Sequence, residues 1–384
     1  MPADRATFAA LLEKRGPSIT GIAREMGVSP ETARYWYRQC ILNRRGFALH
    51  AVLDEQELGL RRTVVLADLE DRYWPHARDI FEALNHYLGL TYYIRALPSG
   101  TFVNTYQVPK ERQGELLKAL DDLRAQGVFR RLEVMPMEWR RLVPMKTEYY
   151  NFTKGVWDFD WASAMEATSD ELPPLAPSAP VKFDYDDLLI LSRLQIDAAR
   201  SVKSIVTHLK MKYDVAFRHY THIMDRGMIA GYKIRWLETS VKEMARVAGD
   251  WRETLIYHAQ HKYQTGLVLL RNLRETDQSL IIQKVSALPF LYNLNGGDGN
   301  LYFEIGMPYA YQSEVLHFLR QLLSPYRDSL TFLLSDATFA LAYTIPFELF
   351  DRETNSWTYR SAECSAAFES LLPKMARAAS SGAT

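Results

Sequence analysis

The chain has 384 residues, 47% hydrophobic and 24% charged, with a formal net charge of zero; this is the composition of a folded globular protein, with disorder confined to linkers and tails. Its two cysteines, Cys40 and Cys364, lie far apart, which excludes a disulfide framework or a cysteine-based zinc site and favours a reducing compartment. Charges at Asp4, Arg5, Glu13, Lys14 and Arg15 interrupt any apolar signal segment, and no apolar run is long enough to cross a bilayer, so a cytoplasmic location without membrane contact is expected.

In chain order, Ala6–Arg15 places Phe8, Leu11 and Leu12 on one helical face, and Gly16-Pro17 stops it. Ser18 precedes a second helix over Ile19–Met26, and Gly27-Val28-Ser29 makes a turn. Ser29-Pro30-Glu31 then starts a third helix with a cap residue and a proline at its first position, running to about Leu42. Phe47–Leu53 alternates as a strand. Three helices, a tight turn before the third and a strand describe a winged helix-turn-helix. There follow a strand at Thr63–Leu69, a helix at Trp74–Leu88, strands at Thr91–Ala96 and Phe102–Val108, a helix at Glu111–Ala125 and a strand at Phe129–Pro136. This βαββαβ order is that of a ferredoxin-like domain.

Four prolines among small residues make 166–181 a linker. Beyond it the order repeats. Helices are expected at Tyr185–Gln195, Val202–Lys210 and Val215–Arg226, then a strand at Tyr232–Trp236. A second βαββαβ set runs Gly266–Leu273, Asp277–Ser286, Phe290–Asn295, Leu301–Met307, Tyr311–Leu323 and Ser329–Leu334. Val143-Pro144 leading to Trp157 parallels Ile345-Pro346 leading to Trp357. The expected fold class is therefore α+β, with two winged helix-turn-helix domains (1–55 and 182–240) alternating with two ferredoxin-like βαββαβ domains (56–165 and 241–360), and a flexible tail over 361–384.

The neutral total conceals an uneven distribution. Residues 1–50 hold eight Lys/Arg against four Asp/Glu, a balance of +4; residues 197–236 hold eight against three, +5; residues 276–360 hold five against nine, −4. Two basic islands coinciding with the two helix-turn-helix segments suggest local phosphate contact.

The run Ile22-Ala23-Arg24-Glu25-Met26-Gly27-Val28-Ser29-Pro30-Glu31-Thr32-Ala33-Arg34, followed by Leu58-Gly59 before the first sensor strand, resembles the Lrp/AsnC family of feast/famine transcription regulators. The resemblance covers about 1–150 well and 184–345 more weakly. It implies a regulator that binds double-stranded DNA, responds to a small-molecule effector and associates through its sensor domains into a homodimer, though two units in one chain could supply that interface internally. The Gly-Asp-Tyr-Asp-like turn of the family is absent at Pro98-Ser99-Gly100, and Met211-Lys212-Tyr213 replaces the Gly-Val-Ser turn in the second half.

On this reading Ala33, Trp36 and Cys40 face the core, and Glu31, Thr32, Arg34 and Tyr35 lie outward toward base edges. Ser29, Arg38, Arg44 and Arg45 would meet phosphates. In the second copy the candidates are Lys203, Lys210, Lys212, Arg218, His219 and His222. Together they predict a bipartite DNA site, gaining affinity through tethering. No cofactor, no metal site and no enzymatic activity are expected. The pair His258 and His261 has helical spacing that could ligate metal but reads as a surface or packed pair. Two alternatives stay open: a tetrapyrrole enzyme, since proteins with this domain pair look like the siroheme decarboxylases, and an architectural chromatin-type DNA-binding protein. The aromatics Trp74, Tyr87, Tyr92, Tyr93 and Tyr106 in one sensor domain and Tyr292, Tyr302, Phe303, Tyr309 and Tyr311 in the other are read as core and an intrachain interface, with a ligand cleft between the two sheets as the alternative.

Overall fold

A computed structural model describes residues 5–38, 47–143, 146, 149–151, 156–166, 181–236 and 263–381. The first half opens with α1 (Arg5–Arg15), α2 (Ile19–Met26) and α3 (Pro30–Tyr37), followed by β1 (Phe47–Leu53). Gly27, in the left-handed conformation at φ 65°, closes α2, as a residue without Cβ can. Ser29 caps α3 by accepting a hydrogen bond from the Thr32 backbone N–H at 3.1 Å, with Pro30 in the first turn. Then come β2 (Leu60–Leu69), α4 (Ala77–Leu88), β3 (Leu90–Leu97), β4 (Phe102–Pro109), α5 (Gln113–Ala125), β5 (Phe129–Met137) and β6 (Trp139–Arg141). A small hairpin, β7 (Tyr150–Asn151) with β8 (Val156–Trp157), and the short α6 (Trp161–Glu166) precede the second half.

The second half repeats the pattern with α7 (Tyr185–Ile196), α8 (Val202–Leu209), α9 (Tyr213–Asp225) and β9 (Ile229–Trp236). It continues with β10 (Tyr263–Leu270), α10 (Glu275–Ser286), β11 (Leu291–Gly297), β12 (Asn300–Pro308), α11 (Gln312–Leu323) and β13 (Leu330–Ala342). A hairpin of β14 (Phe350–Asp351) and β15 (Ser356–Trp357) leads to α12 (Ser361–Ser381).

Eight of these strands and the short β6 form one antiparallel sheet in the order β5-β2-β4-β3-β13-β10-β12-β11-β6. Its two ends, β5 and β6, are separated by Glu138 alone, so the sheet closes on itself as a barrel. Each half supplies its four strands in the order fourth, first, third, second. The halves meet at two seams. At one, β3 pairs with β13, from Leu97 opposite Leu334 to Tyr92 opposite Ala342. At the other, β6 pairs with β11, Arg140 opposite Asn295.

Strand alternation sorts the side chains. Outward residues such as Phe102, Tyr106, Phe303 and Ile305 are buried beneath the helices. Inward residues Val64, Leu66, Ile94, Val103, Met135, Leu267 and Leu269 fill the barrel. Both phases are apolar because both faces are covered.

The two helix-rich segments are not separate units. Strands β1 and β9 pair antiparallel, Leu49 opposite Ile234, and Phe8, Leu12, Ile22 and Leu49 share one core with Leu188, Leu191, Ile223 and Ile234. The two strands join edge to edge, and helix residues of both segments pack into that one core. Tyr37 is also more buried than Trp36 and donates to the Ala199 carbonyl at 3.5 Å across this junction. Cys40 lies outside the described residues.

The tail expected over 361–384 is corrected through Ser381: α12 places Cys364, Phe368, Leu372 and Met375 in the core beneath α4 and α5. Spacing of four, four and three residues puts them on one helical face. Among the described residues, no helix is long and apolar enough to cross a membrane.

Candidate functional site

The residues proposed for DNA contact fall into two groups. Ser29, Glu31, Tyr35, Arg34 and Arg38 are exposed around α3, with Thr32 half-buried. Ser29 spends its hydroxyl on the cap and on the Thr32 hydroxyl, 3.1 Å away, and Arg34 lies 3.8 Å from Glu31. Arg44 and Arg45 lie outside the described residues. Lys203, Lys210, Lys212 and Arg218 are exposed on α8, α9 and the turn between them. His219 and His222 face the other way. Their Nδ1 atoms lie 2.9 and 3.1 Å from the two carboxylate oxygens of Asp187 on α7, and His219 is buried. They hold helices together rather than offering themselves to a groove.

A second concentration of polar groups sits inside the fold, at the β6–β11 seam. Glu55, in the turn between β1 and β2, is buried. It receives Arg62 of β2, with Nε donating to Oε2 at 3.0 Å and Nη2 to Oε1. Arg140 of β6 donates Nη1 to the same Oε1 at 2.8 Å and Nη2 to the Asn293 side-chain oxygen at 3.2 Å. Burial pushes the Glu55 carboxyl up. The Arg62 and Arg140 guanidiniums, with hydrogen bonds from Arg62 and Gln107, outweigh it and hold the group below its ordinary value. Arg140 is pushed down to about 10, by burial first and by Arg62 second, and stays protonated at neutral pH.

Across the barrel interior, Tyr302 of β12 donates its hydroxyl to Glu304 Oε1 at 2.5 Å. Burial first, then the Glu304 carboxylate and Tyr92, raise the Tyr302 phenol far above its ordinary value, so it keeps its proton. Register places Asn295 opposite both Tyr302 and Arg140, on the same face. Its amide nitrogen and oxygen, and Arg140 Nε, have no hydrogen-bond partner among the described residues although they are buried. Such groups are uncommon in native interiors. The arrangement thus offers a guanidinium N–H and a carboxamide suited to a carboxylate, beside a phenol hydrogen-bonded to a carboxylate.

Glu55, Arg62, Gln107, Arg140, Asn295 and Glu304 were not among the residues singled out by sequence. The available signal was phase: Arg62 falls in step with Val64 and Leu66, and Glu304 in step with Tyr302, so a charge occupies the inward register of an otherwise apolar strand. Tyr302 and Tyr106 were expected in the core, and both are fully buried. A separate hollow lined by Asn85, Tyr343, Pro346, Phe347 and Glu348 measures about 20 Å³, room for a water and no more.

No family model matches the chain, and no curated protein matches it by sequence. Solved structures do. The crystal structure of the siroheme decarboxylase NirDL matches 97% of this chain and 99% of its own, at 10% identity and a TM-score of 0.51. The fold is that of NirDL. The same enzyme with an iron-uroporphyrin III analogue matches at 11% identity over 95% of each chain, TM-score 0.48. E. coli AsnC is similar over only 35% of this chain and 92% of its own, at 16% identity and a TM-score of 0.25. This corrects two expectations. A DNA-binding regulator gives way as the leading reading, and the expectation of no enzymatic activity goes with it, because the structure that accounts for both halves together is an enzyme's.

Proposed function

We propose that this chain binds a carboxylated tetrapyrrole and removes carboxylate from it, as a decarboxylase of the siroheme type. One observation carries the reading: the likeness to NirDL covers 97% of this chain and 99% of that one, and so does not stop at one helix-turn-helix unit. The chemistry at the β6–β11 seam is compatible with it. Decarboxylation exchanges a bond to CO2 for a bond to hydrogen, so the protein must hold a carboxylate and supply a proton. Arg140 and Asn295 carry unpartnered hydrogen-bonding groups for the first task. The Tyr302–Glu304 pair, joined at 2.5 Å, is placed for the second. Arg140 is the member that solvent reaches, its side chain 22% exposed.

In the same reading the chain is a duplicated unit. Winged helix-turn-helix segments occupy 1–55 and 182–240, and ferredoxin-like domains 56–165 and 241–360, with 166–181 as the link. The matching strand order in each half supports this.

The test is anaerobic incubation of the purified full chain with siroheme, with products followed by mass spectrometry. Loss of CO2 from the substrate is expected, slowed by at least about tenfold in Tyr302→Phe, as for loss of a general acid. Wild-type protein that binds siroheme and leaves it unchanged would overturn the decarboxylase assignment. Full activity in Tyr302→Phe would remove this site from the mechanism.

A further inference from the structure

The junction of α7 and α9 brings together side chains that neither the tetrapyrrole reading nor the barrel uses. Asp184 and Asp187 are the N-cap and third residue of α7, and they form a reciprocal capping box: Asp184 Oδ1 accepts from the Asp187 N–H and Asp187 Oδ2 accepts from the Asp184 N–H, both at 3.0 Å. His219 of α9 directs its Nδ1 at both residues, 2.9 Å from Asp187 Oδ1 and 3.5 Å from Asp184 Oδ1. Ligand atoms of Asp184, Asp187 and His219 all lie within 4.8 Å of one another. His222, one turn further along α9, places its Nδ1 3.1 Å from the other oxygen of Asp187.

We propose that Asp184, Asp187 and His219 form a binding site for a divalent first-row transition metal ion, zinc being the best fit, that ties α7 to α9.

Three features argue for a cation here. The first is spacing. Two donors on a tetrahedral ion with bonds near 2.0–2.1 Å stand about 3.3 Å apart, and the separations of 2.9 and 3.5 Å bracket that value. The second is charge. Asp187 is 1% exposed, and a second carboxylate faces the same imidazole. A divalent ion would neutralise both carboxylates. The third is preorganisation. The Asp184 backbone N–H and His222 Nδ1 fix the Asp187 oxygen that His219 does not face, an outer-shell arrangement that orients a ligating carboxylate. The imidazole nitrogen selects zinc and its neighbours over magnesium or calcium, which take oxygen. Asp184, with its side chain 43% exposed, leaves one side open for water to complete the coordination.

The full-length chain, stripped with chelator, would be titrated with Co²⁺ as a spectroscopic stand-in for zinc, then with Zn²⁺ in competition. One equivalent of Co²⁺ should bind with a visible absorption band of tetrahedral or five-coordinate character, and Zn²⁺ should displace it. Asp184→Ser keeps the N-cap acceptor and so the fold; it should weaken binding by about tenfold or more. Asp187→Asn should abolish it, with circular dichroism reporting whether the helices persist. Magnesium in excess should not compete. The proposal is overturned if Co²⁺ produces no band, or if Asp184→Ser binds as well as the parent. It is equally overturned if His258→Ala with His261→Ala removes the binding, which would assign it to that pair.

Discussion

Glu55 illustrates how one side chain can decide the character of a seam. Its carboxylate is shared by Arg62 and Arg140, from strands on either side of the point where the barrel closes. Replacing it leaves two guanidiniums with their common partner gone, a loss of about 3–5 kcal/mol for a buried pair broken on one side. Its titration gives the sign of a pH effect. The folded value lies below the ordinary 4.5, so its stabilisation is complete above that pH and disappears as the pH falls through the folded value. Urea unfolding from neutral pH down into the acid range should therefore show a steeper acid loss in the parent than in Glu55→Gln. Equal slopes would mean that the three groups are not coupled. At this same scale the sequence was least legible. Arg62 and Glu304 read as ordinary strand charges until the far phase of the strand is known to be buried too. His219 and His222 read as surface cations until α7 brings Asp187 beneath them.

At the scale of elements the sequence said more. Ser29-Pro30 and Ser201 mark helix starts and Gly27 marks an end, and α2, α3 and α8 begin or stop there; local capping chemistry needs no tertiary context. Two elements escaped. Strand β13 runs to Ala342, eight residues past its expected end at Leu334, because its later residues pair with β3 of the other half. The final helix escaped because its Ser/Ala-rich sequence offers few apolar residues, and only the cleft beside α4 and α5 makes Phe368 a core residue. Phe368→Ala should cost about 3–5 kcal/mol in denaturant unfolding; an unchanged midpoint would place α12 outside the cooperative core. The β6–β11 seam has its own probe in Gly297, where an added Cβ would stand 2.5 Å from the Glu138 backbone nitrogen. Gly297→Ala should destabilise by about 1–3 kcal/mol through overpacking, and a neutral result would show that the seam tolerates displacement.

The whole molecule is built from contacts between its halves. Strand pairs β1–β9, β3–β13 and β6–β11 each join one half to the other. The repeat was legible in the order of elements, but these pairings were not, since each links residues far apart in sequence and alternation alone does not name a partner. They change the functional reading. Two tethered units would each keep their own strands, whereas here β1 and β9 pair with each other and strands of both halves form one sheet. Both halves lie within the span over which the chain is similar in fold to NirDL. The most direct test of a tetrapyrrole function is anaerobic titration of siroheme into the intact chain, followed by its visible absorption. Saturable binding at one ligand per chain is expected, weakened at least about tenfold by Arg140→Met through loss of a charged hydrogen bond. A folded protein that leaves the siroheme spectrum unchanged throughout the titration would contradict it.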